Sequence, residues 1–290
     1  MEQTIPSQAN KHALICIGEK HLDPDALNFA KIIVNAFGFS SVLFHIRSPK
    51  ALVEEGERVL ATARKSPGFA SAEIRHVEGN VKNMILNELK RQPYNLLVLG
   101  TSERDTHLPI SKLSRQLANR ANISVLLIHN PSKRIEQFLI CTGGHLASTH
   151  VITWGIKLAK GTGSRVTILH VATTTPAMYT GLPAIEEDLS QVLSRDYPLA
   201  SHLKEAATMA EEAGVKARLE LRHGMVTEEI LRACEMHPHD LVVMGAPLPR
   251  SFIDRLLLGR VGPKLLASSP RTTLIVRNEA HSFNPPEGNS

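Results

Sequence analysis

Short runs of apolar residues alternate along this chain with stretches in which apolar residues return every third or fourth position. The first pattern predicts buried strands and the second predicts amphipathic helices. In the second half the strands fall at Phe138 to Cys141, Arg165 to His170, Lys216 to Leu221, Leu241 to Met244 and Thr273 to Val276. The segments "STHVITWGIKLAK", "SHLKEAATMAEEAG", "TEEILRACEMH" and "PKLLASS" supply the helices between them. Strands that are apolar throughout must be covered on both faces, so the βαβα order implies a parallel sheet with helices on each side. Open sheets of this kind take ligands beyond the carboxyl ends of the strands, where the strand order reverses.

The pattern occurs twice. "ALICIG" (Ala13 to Gly18) returns as "FLICTG" (Phe138 to Gly143), and "VLFHI" (Val42 to Ile46) returns as "TILHV" (Thr167 to Val171), both at an offset of 125. Later, "RQPYNLLVLG" matches "MHPHDLVVMG" at an offset of 145 and "SVLLIH" matches "TTLIVR" at 148. The change of offset places an insertion, Ala172 to Asp188, between the second and third strands of the second half. The polar bridge "HNPSKRIEQ", His129 to Gln137, joins the copies. Two α/β domains are expected, residues 1–134 and 135–290, each an open five-stranded parallel sheet. The closing "EAHSFNPPEGNS" reads as a disordered tail.

Composition changes this picture little. Apolar residues make up 42% and charged residues 21% of 290 residues, the balance of a folded chain long enough for two ordinary domains. No apolar run approaches the roughly 20 residues that cross a bilayer, and "MEQTIPSQANKH" lacks the apolar core of a signal peptide. A cytoplasmic location without membrane insertion is expected. The net charge is +5, with basic residues dispersed instead of forming blocks, so no nucleic-acid partner is expected. Cys16, Cys141 and Cys234 form no CxxC pair and sit in or beside apolar runs, as small buried hydrophobes do.

Two stretches, "TEEILRACEMHPHDLVVMG" and "RSFIDRLLLGRVGPKLLASSPRTTLIVR", carry a resemblance to the universal stress protein family. Over roughly residues 12–130 and 136–277 the chain is similar to its tandem members. The resemblance implies the five-stranded parallel fold and, in nucleotide-binding members, a Gly-x2-Gly-x9-Gly-Ser/Thr motif between the fourth strand and the last helix. It also implies a first-strand aspartate that meets the nucleotide, and backbone after the second strand that meets adenine.

Carried over position by position, the second half keeps Gly245 after the fourth strand and Gly259 before the last helix. The middle glycine falls at Leu248 or Pro249, with one residue inserted, and Arg260 replaces the Ser/Thr. A Cβ at Leu248 or Pro249 holds backbone farther from a phosphate, and proline offers no N–H. Thr142 is placed at the aspartate, followed by Gly143 and Gly144, and Val171 keeps the apolar position after the second strand. With Met244, Arg250 and Val261 these residues make the implied set for ATP or another adenine nucleotide. Arg260 offers a fork for two oxygens in place of a hydroxyl. Gly262-Pro263 predicts a last helix that begins at Pro263.

The first half departs further. Glu103 stands at the second glycine, Ser111 at the third, Lys112 at the Ser/Thr, and Gly18 at the aspartate, so it reads as a degenerate, structural copy. An acidic side chain where a polyphosphate would lie opposes binding.

"CEMHPHD" groups Cys234, His237, His239 and Asp240, but the spacing matches no zinc pattern and the first half has Leu89, Gln92, Tyr94 and Asn95 there, so no metal is expected. His45 and His170 recur at the ends of second strands, which marks them as fold positions near the site. No G-x-S-x-G, complete P-loop or HExxH occurs, and no enzyme is expected. The resemblance implies a stress-response regulator that binds a ligand in its second half, with a homodimer compatible. The alternative is a ligand-free scaffold in which the halves pack as an internal pseudodimer through their last strands.

Overall fold

A computed structural model of the chain describes residues 11–18, 23–49, 53–100, 110–144, 148–172, 188–195, 197–246 and 261–277, with side chains except at 261–263. The first half runs β1 (His12–Ile17), α1 (Pro24–Phe37), β2 (Ser40–Arg47), α2 (Val53–Lys65), β3 (Glu73–Glu78), α3 (Val81–Arg91), β4 (Leu96–Gly100), α4 (Lys112–Arg120) and β5 (Ser124–Ile128). The second runs β6 (Gln137–Thr142), α5 (Thr149–Thr162), β7 (Arg165–Ala172), α6 (Leu189–Ser194), α7 (Pro198–Glu212), β8 (Ala217–His223), α8 (Val226–Met236), β9 (Leu241–Gly245), α9 (Val261–Ser268) and β10 (Thr272–Val276).

Local chemistry explains where the paired helices stop. Asp23 caps α1 by accepting from the N–H groups of Asp25 and Ala26, and Pro24 fits the first turn, where no helical N–H is needed. The helix ends at Gly38 with φ of 70°, and the equivalent α5 ends at Gly163 with φ of 69°. Both are left-handed turns that a side chain resists.

All ten strands form one sheet in the order β3-β2-β1-β4-β5-β10-β9-β6-β7-β8. Each half is parallel within itself, as expected. The halves meet where β5 and β10 pair antiparallel, Leu126 opposite Leu274. Thr272 closes this seam: its hydroxyl donates to the His129 carbonyl at 3.0 Å and accepts from the His129 N–H at 3.1 Å. The buried Arg277 guanidinium donates to the Ala118 carbonyl at 2.7 Å, and burial lowers its pKa to about 10.

Successive residues of each strand face opposite layers. One layer packs under α1, α2, α5 and α7, and the other under α3, α4, α8 and α9. Across the seam α1 touches α5 so closely that a Cβ on Gly161 would lie 2.8 Å from the Cβ of Ala36, its counterpart in the repeat. Phe37 and Trp154 pack beside that point with ring centroids 4.6 Å apart and planes tilted by 49°.

Some boundaries move from their sequence expectation. The third strand of the second half is Ala217–His223, since Lys216 contributes only its carbonyl, to the N–H of Val166. β7 extends to Ala172. The last helix starts at Val261, two residues before Pro263, because a proline in a first turn forfeits no helical hydrogen bond. Of the insertion, Ala172 ends β7 and Asp188 caps α6 through a reciprocal bond with Gln191. Residues 173–187 and the expected tail from 279 lie outside the described residues.

Candidate functional site

In the second half the strand order turns between β6 and β9, so these two strands frame the ligand position of an open sheet. Cys141 pairs with Met244 at this end, which brings Thr142, Gly143 and Gly144 beside Met244 and Gly245. Val171, on the next strand, is buried. Six of the ten expected site residues therefore converge. Val261 opens α9, with its side chain outside the description, and Arg250, Gly259 and Arg260 lie outside the described residues.

The convergent residues are tightly engaged with one another. The buried Thr142 Oγ1 lies 2.6 Å from His202 Nε2 and accepts from the Gly144 N–H at 3.2 Å. Both contacts can be made at once, since a hydroxyl carries one donor and two acceptor sites. The Gly143 N–H donates to Ser148 Oγ at 3.2 Å, and His170 Nδ1 sits 3.2 Å from the Thr142 carbonyl. Gly144 has φ of 74°, and a Cβ there would fall 2.5 Å from His170 Cε1 and 2.7 Å from Leu199 Cδ1. Leu199 and His202 both belong to α7, which thus lies across the end of β6. A Cβ on Gly245 would meet Val151 Cγ2 at 2.8 Å. Packing alone therefore requires Gly144 and Gly245, and the Gly143 and Gly144 N–H groups that could hold an anion already have acceptors.

The first half differs at the corresponding place. A cavity of about 380 Å3 opens between the ends of β1 and β4, lined by Gly18, Phe44, Ile85, Gly100, Ser111 and neighbouring apolar side chains, with no charged residue among its described lining. Among the described residues no heavy atom lies within 4 Å of where a Cβ on Gly100 would stand. Ser111 caps α4, accepting from the Ser114 N–H at 3.1 Å and donating to Ser114 Oγ at 3.0 Å. Among the described residues, the copy read as degenerate keeps an open volume, in an apolar form.

Register corrects one assignment. His45 pairs with Ile17 and places Nδ1 3.3 Å from its carbonyl, as His170 does with Thr142. Thr142 is thus equivalent to Ile17, and Gly18 to Gly143. Placing both Thr142 and Gly18 at the first-strand aspartate was inconsistent by one residue. The recurrent histidines act alike in both halves, fastening the second strand to the end of the first.

His202 escaped the sequence reading. It lies on the apolar face of α7 next to buried Leu203 and Ala206, and the first half offers no counterpart to flag it. Asp240 gains a structural use: its carboxylate accepts from the N–H groups of Glu136 at 2.8 Å and Gln137 at 3.2 Å, fixing the start of β6. Asn95 does the same for β1 by accepting from His12 at 3.2 Å. Burial pushes the Cys234 thiol up to about 11 and raises Cys16 and Cys141 well above the ordinary thiol range, so none is poised as a nucleophile.

Comparison with known proteins follows the repeat. The profile described as the universal stress protein family matches residues 10–129 and again 134–277. A universal stress protein of Methanocaldococcus jannaschii is 30% identical over 153 residues, covering 52% of this chain and 87% of its own. The crystal structure of a universal stress protein from Archaeoglobus fulgidus covers 93% of this chain and 99% of its own at 13% identity, with a TM-score of 0.66. A universal stress protein solved in complex with cAMP covers 49% of this chain and 96% of its own at 19% identity, with a TM-score of 0.39.

Proposed function

Because the chain belongs to the universal stress protein family, with one family unit in each half, we propose that it is a cytoplasmic stress-response regulator that acts by binding and not by catalysis. Its ligand in this reading is an adenine nucleotide or another phosphorylated molecule, held at the carboxyl end of the second-half sheet. The supporting observation is the convergence of Thr142, Gly143, Gly144, Val171, Met244 and Gly245 where the strand order turns. Arg250 and Arg260 supply the positive charge on sequence grounds. Buried, protonated thiols accord with a binding role, and three free cysteines accord with a reducing compartment. Among the described residues no helix is long and apolar enough to cross a membrane.

Equilibrium titration of the purified protein with ATP, ADP and AMP tests the reading, with at most one site per chain expected. Replacing Arg260 with alanine should weaken binding roughly 10- to 100-fold, as loss of a charge-assisted hydrogen bond does. Tighter binding by Arg260→Ser would mean that the arginine closes the site and would overturn its assignment.

The engaged N–H groups of Gly143 and Gly144 favour a second reading, a ligand-free interaction scaffold. Absence of binding to every nucleotide tested would select it. A homodimer would need a surface other than β5 or β10, since these strands already pair with each other.

A further inference from the structure

The opposite, amino end of the second-half sheet carries a cleft of about 760 Å3. It lies where α5 and α7 end and β6, β7 and β8 begin, with Ile32 of α1 on the first-half side. Arg134, Lys160, Arg165 and Lys216 line it, all exposed, against one carboxylate, Glu136. None of the four cations has an ion pair or side-chain hydrogen bond among the described residues.

The fold itself does not require this charge, as the internal repeat demonstrates. His12 pairs with Ser40 where Gln137 pairs with Arg165, so a serine holds the position of Arg165 in the first half. At the same offset Asn35 stands for Lys160, and Lys11 stands for Glu136. Lys11 apart, the first copy builds these strand and helix ends with neutral residues at the positions of Lys160 and Arg165, where the second places cations.

We propose that this cleft is a docking site for an acidic peptide segment of a partner protein. Carboxylates of the segment meet the four cations. The residues after the two helices already bond the carbonyls of Ala159, Met209, Ala210 and Glu211, whereas those of Lys160, Gly161 and Thr162, which line the cleft, have no following turn to bond and accept from the peptide N–H groups. Ile32, Ala213 and Val215 give the side chains between the acids an apolar floor. A phosphate-rich polyanion fits less well, because it offers no N–H to those carbonyls. The cleft and the nucleotide position lie at opposite ends of the strands, so the failure of one reading leaves the other standing.

The test is fluorescence anisotropy of a labelled peptide built from Glu, Asp and Leu, titrated with the full chain at about 0.15 M salt. Saturable binding is expected. Lys160→Glu combined with Arg165→Glu should weaken it roughly tenfold or more. Lys90→Glu combined with Lys204→Glu, an equal charge change at exposed positions elsewhere, should leave it within about twofold. Circular dichroism melts establish that both variants fold. Equal losses in the two variants would reduce the effect to diffuse attraction and overturn the proposal, as would absence of peptide binding. Displacement of the peptide by inorganic polyphosphate at concentrations below those of unlabelled peptide would overturn it in favour of a polyanion.

Discussion

At the end of β1 the first half leaves a cavity of about 380 Å3 beside Gly100, whereas at the end of β6 the second half lays α7 across the strand and ties it through Thr142 and His202. The two places are equivalent in the repeat: Gly100 matches Gly245 and Gly18 matches Gly143, while Gly144 stands where the first half has Glu19. Among the described residues Gly100 borders open space, while Gly245 lies against Val151 and Gly144 lies under His170 and Leu199. A glycine after a fourth strand is thus a spacing signal with two physical causes, close approach of a ligand or close approach of a helix. Only the surrounding atoms separate them.

The contrast is strongest in stability. Gly144→Ala combines a left-handed backbone with a buried clash, so it should destabilise the fold by about 2–4 kcal/mol. Gly100→Ala should change stability by less than about 0.5 kcal/mol. Urea midpoints of the two variants measure this, and equal shifts would erase the distinction between an open and a filled end.

A smaller difference concerns the strand ends. Thr142→Val takes the acceptor from the Gly144 N–H and one partner from His202, and should cost about 1–3 kcal/mol. Ile17→Val, at the equivalent residue, removes one methyl group and should cost about 0.5–1.5 kcal/mol. A Thr142→Val protein as stable as wild type would show that the Thr142 to His202 contact contributes nothing.

The smallest expected effect is in pH dependence. Burial holds the His239 imidazole below its ordinary value of 6.5, and its first-half counterpart is Tyr94. The folded chain keeps such a group neutral while the unfolded chain takes up a proton. Its contribution is therefore constant well above pH 6.5 and is lost progressively as pH falls from there toward the lowered folded pKa. His239→Phe should flatten part of the acid decline in melting temperature. An identical slope in His239→Phe would remove His239 from the account.

The fold was legible because it is written twice. Offsets of 125 for the first two strand pairs aligned elements that the structure places in the same register, His45 on Ile17 and His170 on Thr142. The ligand-free alternative placed the meeting of the halves at their last strands, and β5 and β10 pair antiparallel there. Finer features depend on contacts that periodicity does not carry. The start of α9 ahead of Pro263 turns on which N–H groups a first turn leaves unbonded. The role of His202 depends on α7 crossing β6, a tertiary contact with no local signature. The apolar cavity of the first half was hidden because a motif search scores missing phosphate ligands and takes no account of remaining space.

The seam also imposes an order in time. Leu127 waits for Thr273, roughly 150 residues later in the chain. At about 5–20 residues per second, β5 leaves the ribosome on the order of ten seconds before the strand that will cover its edge. Every residue of β5 is buried in the finished sheet, so the nascent chain presents an apolar strand with an unpaired backbone for that interval. Such edges capture other strands. The permanent edges β3 and β8 carry ion pairs, Arg75 with Glu73 and Arg222 with Glu220, which discourage that capture. The hazardous edge of this protein is thus a transient one, and slowing translation between residues 128 and 272 would lengthen its exposure and raise the yield of aggregate.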